Sequence, residues 1–345
     1  MTTRRKFLSS GALAAGAAAL AAPPVLAQET IKWRMQTYAG TALGAEVVKP
    51  AVDAFNTIAQ GQMEIELFYA DQLVPTAELF RAMQNGTIDA VQSDDDSMAS
   101  PTEVTVFGGY FPLALRYSLD VPALFNHHGL GEIWAEEYAK VGVKHISAGS
   151  WDPCHFSMKD PVNSLADLHG KRVFTFPTAG RFLAQFGVIP VTLPWEDIEI
   201  ALQTGELDGV CWSGITEVYT ASWAKLAPNF LTNNISGAWI GHFFANMERW
   251  DAVPPHLQEL MRVCFEQSHY YRQHWYWAGE ARLRVEGADT KLTSIPDEEW
   301  AQVEEAAAKF WDEIAAESET KAKVVGIFKN YNELMHKAGR PYRNV

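Results

Sequence analysis

The chain has 345 residues, 48% of them hydrophobic and 20% charged, with 28 Lys and Arg against 42 Asp and Glu and a formal net charge of −14. That length is too great for one simple core and fits two lobes. Beyond residue 27 no basic run exceeds two residues, which excludes a nucleic-acid footprint and favours neutral or cationic partners over polyanions.

In chain order, Arg4-Arg5-Lys6 stands ahead of the apolar run Gly11 to Ala22. Val25-Leu26-Ala27 then places small residues where a signal peptidase reads. The run is 12 residues long, short of the roughly 20 needed to span a bilayer. Residues 1–27 therefore read as a twin-arginine signal peptide, predicting export to the periplasm of a Gram-negative bacterium. Setting it aside leaves 318 residues, with 25 basic groups against 42 acidic ones and a formal charge of −17.

Ile31 to Met35 reads as a strand, Leu43 to Ala59 as a helix, Met63 to Tyr69 as a second strand and Thr76 to Asn85 as a helix. Gly86 is placed to cap that helix before the strand Ile88 to Gln92. This alternation predicts α/β lobes with parallel sheet and helices on both faces. Ala82-Met83-Gln84-Asn85-Gly86-Thr87-Ile88-Asp89-Ala90-Val91 is echoed 119 residues on by Ala201-Leu202-Gln203-Thr204-Gly205-Glu206-Leu207-Asp208-Gly209-Val210. Each copy is a helix end, a capping glycine and an acidic strand start, which predicts two similar lobes. Ligands of open parallel sheets sit beyond the strands' carboxyl ends. There the first copy delivers Gln92-Ser93-Asp94-Asp95-Asp96 and the second Cys211-Trp212-Ser213-Gly214. If the lobes face each other, these tips converge on one cleft.

Pro255 to about Gly287 forms a long helical pattern holding His269, Tyr270, Tyr271, His274, Trp275, Tyr276 and Trp277. Aromatics at those spacings cover more than one face, as a helix packed on two lobes requires. Pro296-Asp297-Glu298-Glu299-Trp300 starts a further helix, with acids at its positive end. GxSxG, P-loop, HExxH and GxGxxG motifs are all missing. Cys154, Cys211 and Cys264 are widely spaced and read as buried thiols. Neither His127-His128 nor the Asp94–Asp96 triplet has the spacing of a dedicated metal site, so no metal and no cofactor is expected. An enzyme alternative, a secreted α/β enzyme acting on a small metabolite, would use His155 with Asp152.

Leu165-Ala166-Asp167-Leu168-His169-Gly170-Lys171-Arg172-Val173, Pro190-Val191-Thr192-Leu193-Pro194-Trp195-Glu196-Asp197-Ile198 and the Ala201-to-Gly209 motif resemble the DctP-type extracytoplasmic receptors of TRAP transporters. The resemblance implies a two-lobed periplasmic-binding-protein fold, type II-like, with hinge strands and a long bracing helix. It implies lobe I over 28–150 with about 238–265, and lobe II over 151–237 with about 266–345. It also implies a monomeric receptor that encloses a small solute and hands it to two integral membrane subunits for sodium-coupled uptake.

The ligand-lining set expected on this basis is Gln36, Tyr38, Asp95, Asp96, Trp151, Asp152, His155, Phe174, Phe176, Arg181, Trp195, Trp212 and Trp239. Relatives usually clamp a ligand carboxylate with an arginine four residues after the glycine of a DLxGxKxR motif, and Phe174 stands there. Without that fork a buried carboxylate loses its strongest partner. Two ligand classes stay open. An ammonium would be held by Asp95 or Asp96 and ringed by Trp151, Phe174, Phe176 and Trp212. An organic acid would need Arg181, Arg116 or Arg172.

Overall fold

The computed structural model describes residues 29–339, so the signal-peptide reading lies outside the described residues. Eleven strands among them form two sheets. They are β1 (Ile31–Thr37), β2 (Met63–Phe68), β3 (Ala90–Ser93), β4 (Val143–Ser150), β5 (Cys154–Met158), β6 (Arg172–Thr175), β7 (Ile189–Val191), β8 (Gly209–Cys211), β9 (Asn229–Ser236), β10 (Ile240–Asn246) and β11 (Lys291–Thr293). The first sheet runs β2-β1-β3-β10-β4 and the second β11-β9-β5-β8-β6-β7. This is the two-lobed α/β architecture that the alternation of elements predicts. No helix among the described residues is long and apolar enough to cross a membrane.

The expectation of parallel sheet needs correction, because both sheets are mixed. β1 pairs parallel with β2 and β3, but β10 lies antiparallel between β3 and β4. In the second sheet β5 lies antiparallel between β8 and β9. The cause is connectivity. The chain crosses between lobes twice without an intervening helix, from β4 to β5 through Trp151-Asp152-Pro153 and from β9 to β10 through Gly237-Ala238-Trp239. The two crossings are tied where Trp151 N–H donates to the Trp239 carbonyl at 2.8 Å.

The echoed unit is structural as well as sequential. Gly86 and Gly205 take left-handed φ of 76° and 81°, which only glycine reaches cheaply. The acids that follow do the same work in each lobe. Asp89 Oδ2 accepts from Arg34 N–H at 2.7 Å, and Asp208 Oδ2 from Arg172 N–H at 2.8 Å. The expected helix from Leu43 to Ala59 is two helices, Thr41–Val47 and Lys49–Ile58, because Pro50 suits the first turn of the second but has no N–H to continue the first.

The long helix spans Pro255–Glu286 and packs on β4 and the Lys49–Ile58 helix of the first lobe, and on the Ile215–Thr220 helix of the second. Phe265 stacks on Phe243 at 4.0 Å, and Ser268 Oγ donates to the Val47 carbonyl at 2.9 Å. Eleven residues beyond Ser268, Gly279 lies against Thr216, where a Cβ would meet Thr216 Oγ1 at 2.5 Å. One rigid rod thus touches both lobes. Its aromatics divide by face, with His269 and Tyr276 buried and Tyr270 and Trp277 exposed.

Candidate functional site

A cavity of about 290 Å³ lies between the strand tips of the two sheets. From the first lobe it is lined by Tyr38, Asp71, Thr76, Asp96 and Ser97, and from the second by Phe174, Thr175, Phe176, Thr192, Trp195 and Trp212. Tyr38 follows β1, Asp96 follows β3, Phe176 follows β6 and Trp212 follows β8. These are the carboxyl ends of parallel strands, where such folds present ligand sites.

The rings form one continuous wall. Phe176 stacks on Trp212 at 4.0 Å, Phe174 lies 4.9 Å from the same indole, and Trp195 approaches Trp212 at 5.7 Å and Tyr38 at 6.1 Å. Trp195 reaches across from the second lobe to Gly40 of the first, where a Cβ would meet its Nε1 at 2.3 Å. Any larger residue at Gly40 would hold the lobes apart.

Two carboxylates and no basic side chain line the cavity. Asp96 Oδ2 accepts from the Thr178 N–H of the opposite lobe at 2.8 Å. Burial, opposed by that hydrogen bond and assisted by Asp94, pushes the Asp96 carboxyl up to about 7. Asp71 stands in the loop after β2 with a left-handed φ of 61°. Its Oδ1 accepts from Thr76 N–H at 2.9 Å, while its Oδ2 is shut from solvent without a hydrogen-bond partner. The Thr175 hydroxyl is equally buried and equally unpartnered.

Behind the cavity sits a closed charge cluster. Arg272, on the long helix and 1% exposed, places Nε 3.3 Å from Asp152 Oδ1 and Nη2 2.9 Å from Glu217 Oε2. Its Nη2 also donates to Tyr38 OH at 2.8 Å, and its guanidinium lies 4.3 Å from the Trp151 ring centre. Trp212 Nε1 donates to Glu217 Oε1 at 2.8 Å. Burial, with Asp152 alongside, raises the Glu217 carboxyl well above the ordinary range against the pull of Arg272. Two cavity rings, Tyr38 and Trp212, are therefore fixed from behind by one ion network.

Of the residues expected from the sequence, Tyr38, Asp96, Phe174, Phe176, Trp195 and Trp212 come together on the cavity wall. Trp151, Asp152 and Trp239 lie in the layer behind, on the two crossings, with Trp239 packed 5.5 Å from Trp212. Four others are elsewhere. Gln36 is bonded to the loop at Leu73 and Val74. Asp95 turns into the first lobe's core, where Trp134 Nε1 and Tyr138 OH donate to it and His242 Nε2 lies 2.9 Å away. His155 faces the Leu231 carbonyl at 2.9 Å and Arg284 at 3.2 Å, away from Asp152. Arg181 is half-exposed and paired with Glu317 at 3.0 Å.

The other two arginines considered for an acid are also engaged away from the cavity, Arg116 with Glu304 and Arg172 with Asp208. Asp71, Thr175, Glu217 and Arg272 were not picked out from the sequence. Arg272 alone had a signal, as a lone cation among the long helix's aromatics. No group of three or more metal-ligating side chains occurs among the described residues. Cys154 and Cys211 are free buried thiols whose Sγ atoms stand 3.3 Å apart.

Residues 36–318 match the family model described as bacterial extracellular solute-binding protein, family 7 (DctP). A solved TRAP periplasmic solute-binding protein from Chromohalobacter salexigens, with bound (S)-(+)-2-amino-1-propanol, is 75% identical. The match covers 91% of this chain and 99% of that one, with a TM-score of 0.90. A monocarboxylate 2-oxoacid-binding periplasmic protein from Nostoc is 25% identical over 92% of this chain and 89% of its own length. An ectoine/5-hydroxyectoine-binding periplasmic protein from Ruegeria pomeroyi is 24% identical over 87% and 89%.

Proposed function

The chain belongs to family 7 of the bacterial extracellular solute-binding proteins, the receptors of TRAP transporters, and from that premise we propose that its solute is a small organic cation of the amino-alcohol kind. The observation that carries this reading is the cavity lining: five aromatic rings, two carboxylates and no basic side chain. A buried carboxylate ligand would meet Asp71 and Asp96 with nothing to neutralise it, at a cost of several kcal/mol. An ammonium gains from both the acids and the ring faces. Arg272 is not part of the cavity lining, and its Nε and Nη2 are held by Asp152 and Glu217. The amino-alcohol-bound relative at 75% identity supports the same class.

Binding closes the lobes on the solute, and integral membrane subunits of the transporter receive it from the closed form. The chain works as a periplasmic receptor and needs no catalytic group. His155 and Asp152, the pair an enzyme would use, are bonded to different partners.

Melting of the mature protein with millimolar primary amines and short carboxylates tests this reading. Saturating ligand at 100 times Kd adds about 2.7 kcal/mol of stability, so the amines should raise Tm and the acids should not. A rise with acids alone overturns the proposal.

A further inference from the structure

An aromatic wall with negative charge accepts any cation, including a quaternary ammonium that carries no N–H. Two atoms of this cavity ask for more. Asp71 Oδ2 and Thr175 Oγ1 are buried without partners, and the two residues line the cavity from opposite lobes. A polar atom left unmet in such a place is costly, and native structures keep one mainly where a ligand will meet it. The Asp71 backbone is itself strained, in the left-handed region at φ 61°, a conformation that persists when the surroundings or a function hold it. The bond from Thr76 N–H to Oδ1 fixes the carboxylate and leaves Oδ2 as its unmet oxygen.

Resting on the cation reading above, we propose that the solute is a primary or secondary ammonium with a nearby hydroxyl, clasped between Asp71 of one lobe and Thr175 of the other. The ligand N–H donates to Asp71 Oδ2, and the ligand hydroxyl pairs with Thr175 Oγ1. A trimethylammonium can satisfy neither the carboxylate's need for a donor nor the geometry of a direct N–H···O contact. Asp71 and Thr175 are then the residues that set specificity within the class of small cations, while the rings and Asp96 supply attraction that all cations share.

Calorimetry of 2-aminoethanol and choline, its N-trimethyl form, into the wild-type mature protein decides the proposal without any variant. The expected result is a preference for 2-aminoethanol of about thirtyfold or more. Equal or tighter choline binding overturns it. If neither cation binds and a short carboxylate does, the cation reading itself fails, which is a different outcome. Two variants assign the residues, each checked first for an unchanged melting curve. Asp71→Asn keeps an oxygen for Thr76 N–H and should weaken 2-aminoethanol by about thirtyfold and choline by clearly less, so that the preference between them shrinks. Thr175→Val should weaken 2-aminoethanol by about tenfold and leave propylamine, which lacks the hydroxyl, unchanged. Retention of the full 2-aminoethanol preference in Asp71→Asn removes Asp71 from the role.

Discussion

The cavity and the cluster behind it are built from the same kinds of side chain, carboxylates and aromatic rings, but they differ in one component. Behind the wall, Asp152 and Glu217 share the guanidinium of Arg272, which is also stacked on Trp151. In the cavity, Asp71 and Asp96 face rings with no basic side chain among them. The cluster is a cage whose cation is supplied by the chain itself, and on the proposed reading the cavity is a cage whose cation comes from solution. Charge that is matched within the fold is costly to break, whereas charge left unmatched at a lobe interface is available to a ligand.

The comparison breaks most visibly if the internal cation is removed. Arg272→Met leaves two buried carboxylates side by side, and breaking such a network typically costs about 3–5 kcal/mol. Thermal and denaturant melting should show a strongly destabilised receptor. An unchanged melting curve would mean the cluster is not the matched half of the pair.

Neighbouring acids sharpen the same contrast. Asp95 is committed to Trp134, Tyr138 and His242 inside the first lobe, whereas Asp96 lines the cavity. Asp96→Asn should weaken amine binding by about 2–5 kcal/mol with little change in Tm. Asp95→Asn should lower Tm and leave the affinity of the folded protein near wild type. The reverse pattern in calorimetry and melting would exchange their roles.

A smaller effect comes from pH. The Asp94 and Asp96 carboxyls both sit at about 7 in the ligand-free protein, raised chiefly by burial. A cation needs Asp96 ionised, so amine affinity should fall about tenfold for each pH unit below 7 and level off above it. Ligand-free stability runs the other way. With folded values above the unfolded ones, the folded state binds more protons between about pH 4 and 7, so the contribution of these two groups declines as pH rises through that window. Calorimetry and melting from pH 5.5 to 8 check both signs, and a flat affinity profile would take Asp96 out of the binding step.

Much of this organisation is written in local pattern. The glycines at 86 and 205 and the acids at 89 and 208 are backbone requirements of a helix-to-strand junction, so a repeat of them reveals a repeated lobe and the direction of its strand tips. The mixed sheets are not legible, because β5 and β10 owe their direction to two crossings that leave no periodicity of their own. Asp95 and Asp96 cannot be told apart by composition. They lie past the end of β3 in a turn, where strand alternation no longer says which side chain faces the cleft. Asp71 is invisible for a similar reason. It stands in a loop far along the chain from the triplet, and what marks it is its backbone conformation and its unmet oxygen.

The most direct measurement of the central claim is a pair of calorimetric titrations of the wild-type protein at pH 8, one with 2-amino-1-propanol and one with lactate, of similar size but opposite charge. The unmatched acids of the cavity predict binding of the amine at least about a hundredfold tighter than of the acid, a gap of roughly 2.7 kcal/mol or more. Tighter binding of lactate would contradict the account, because it would require a cation in the cavity that these residues do not provide.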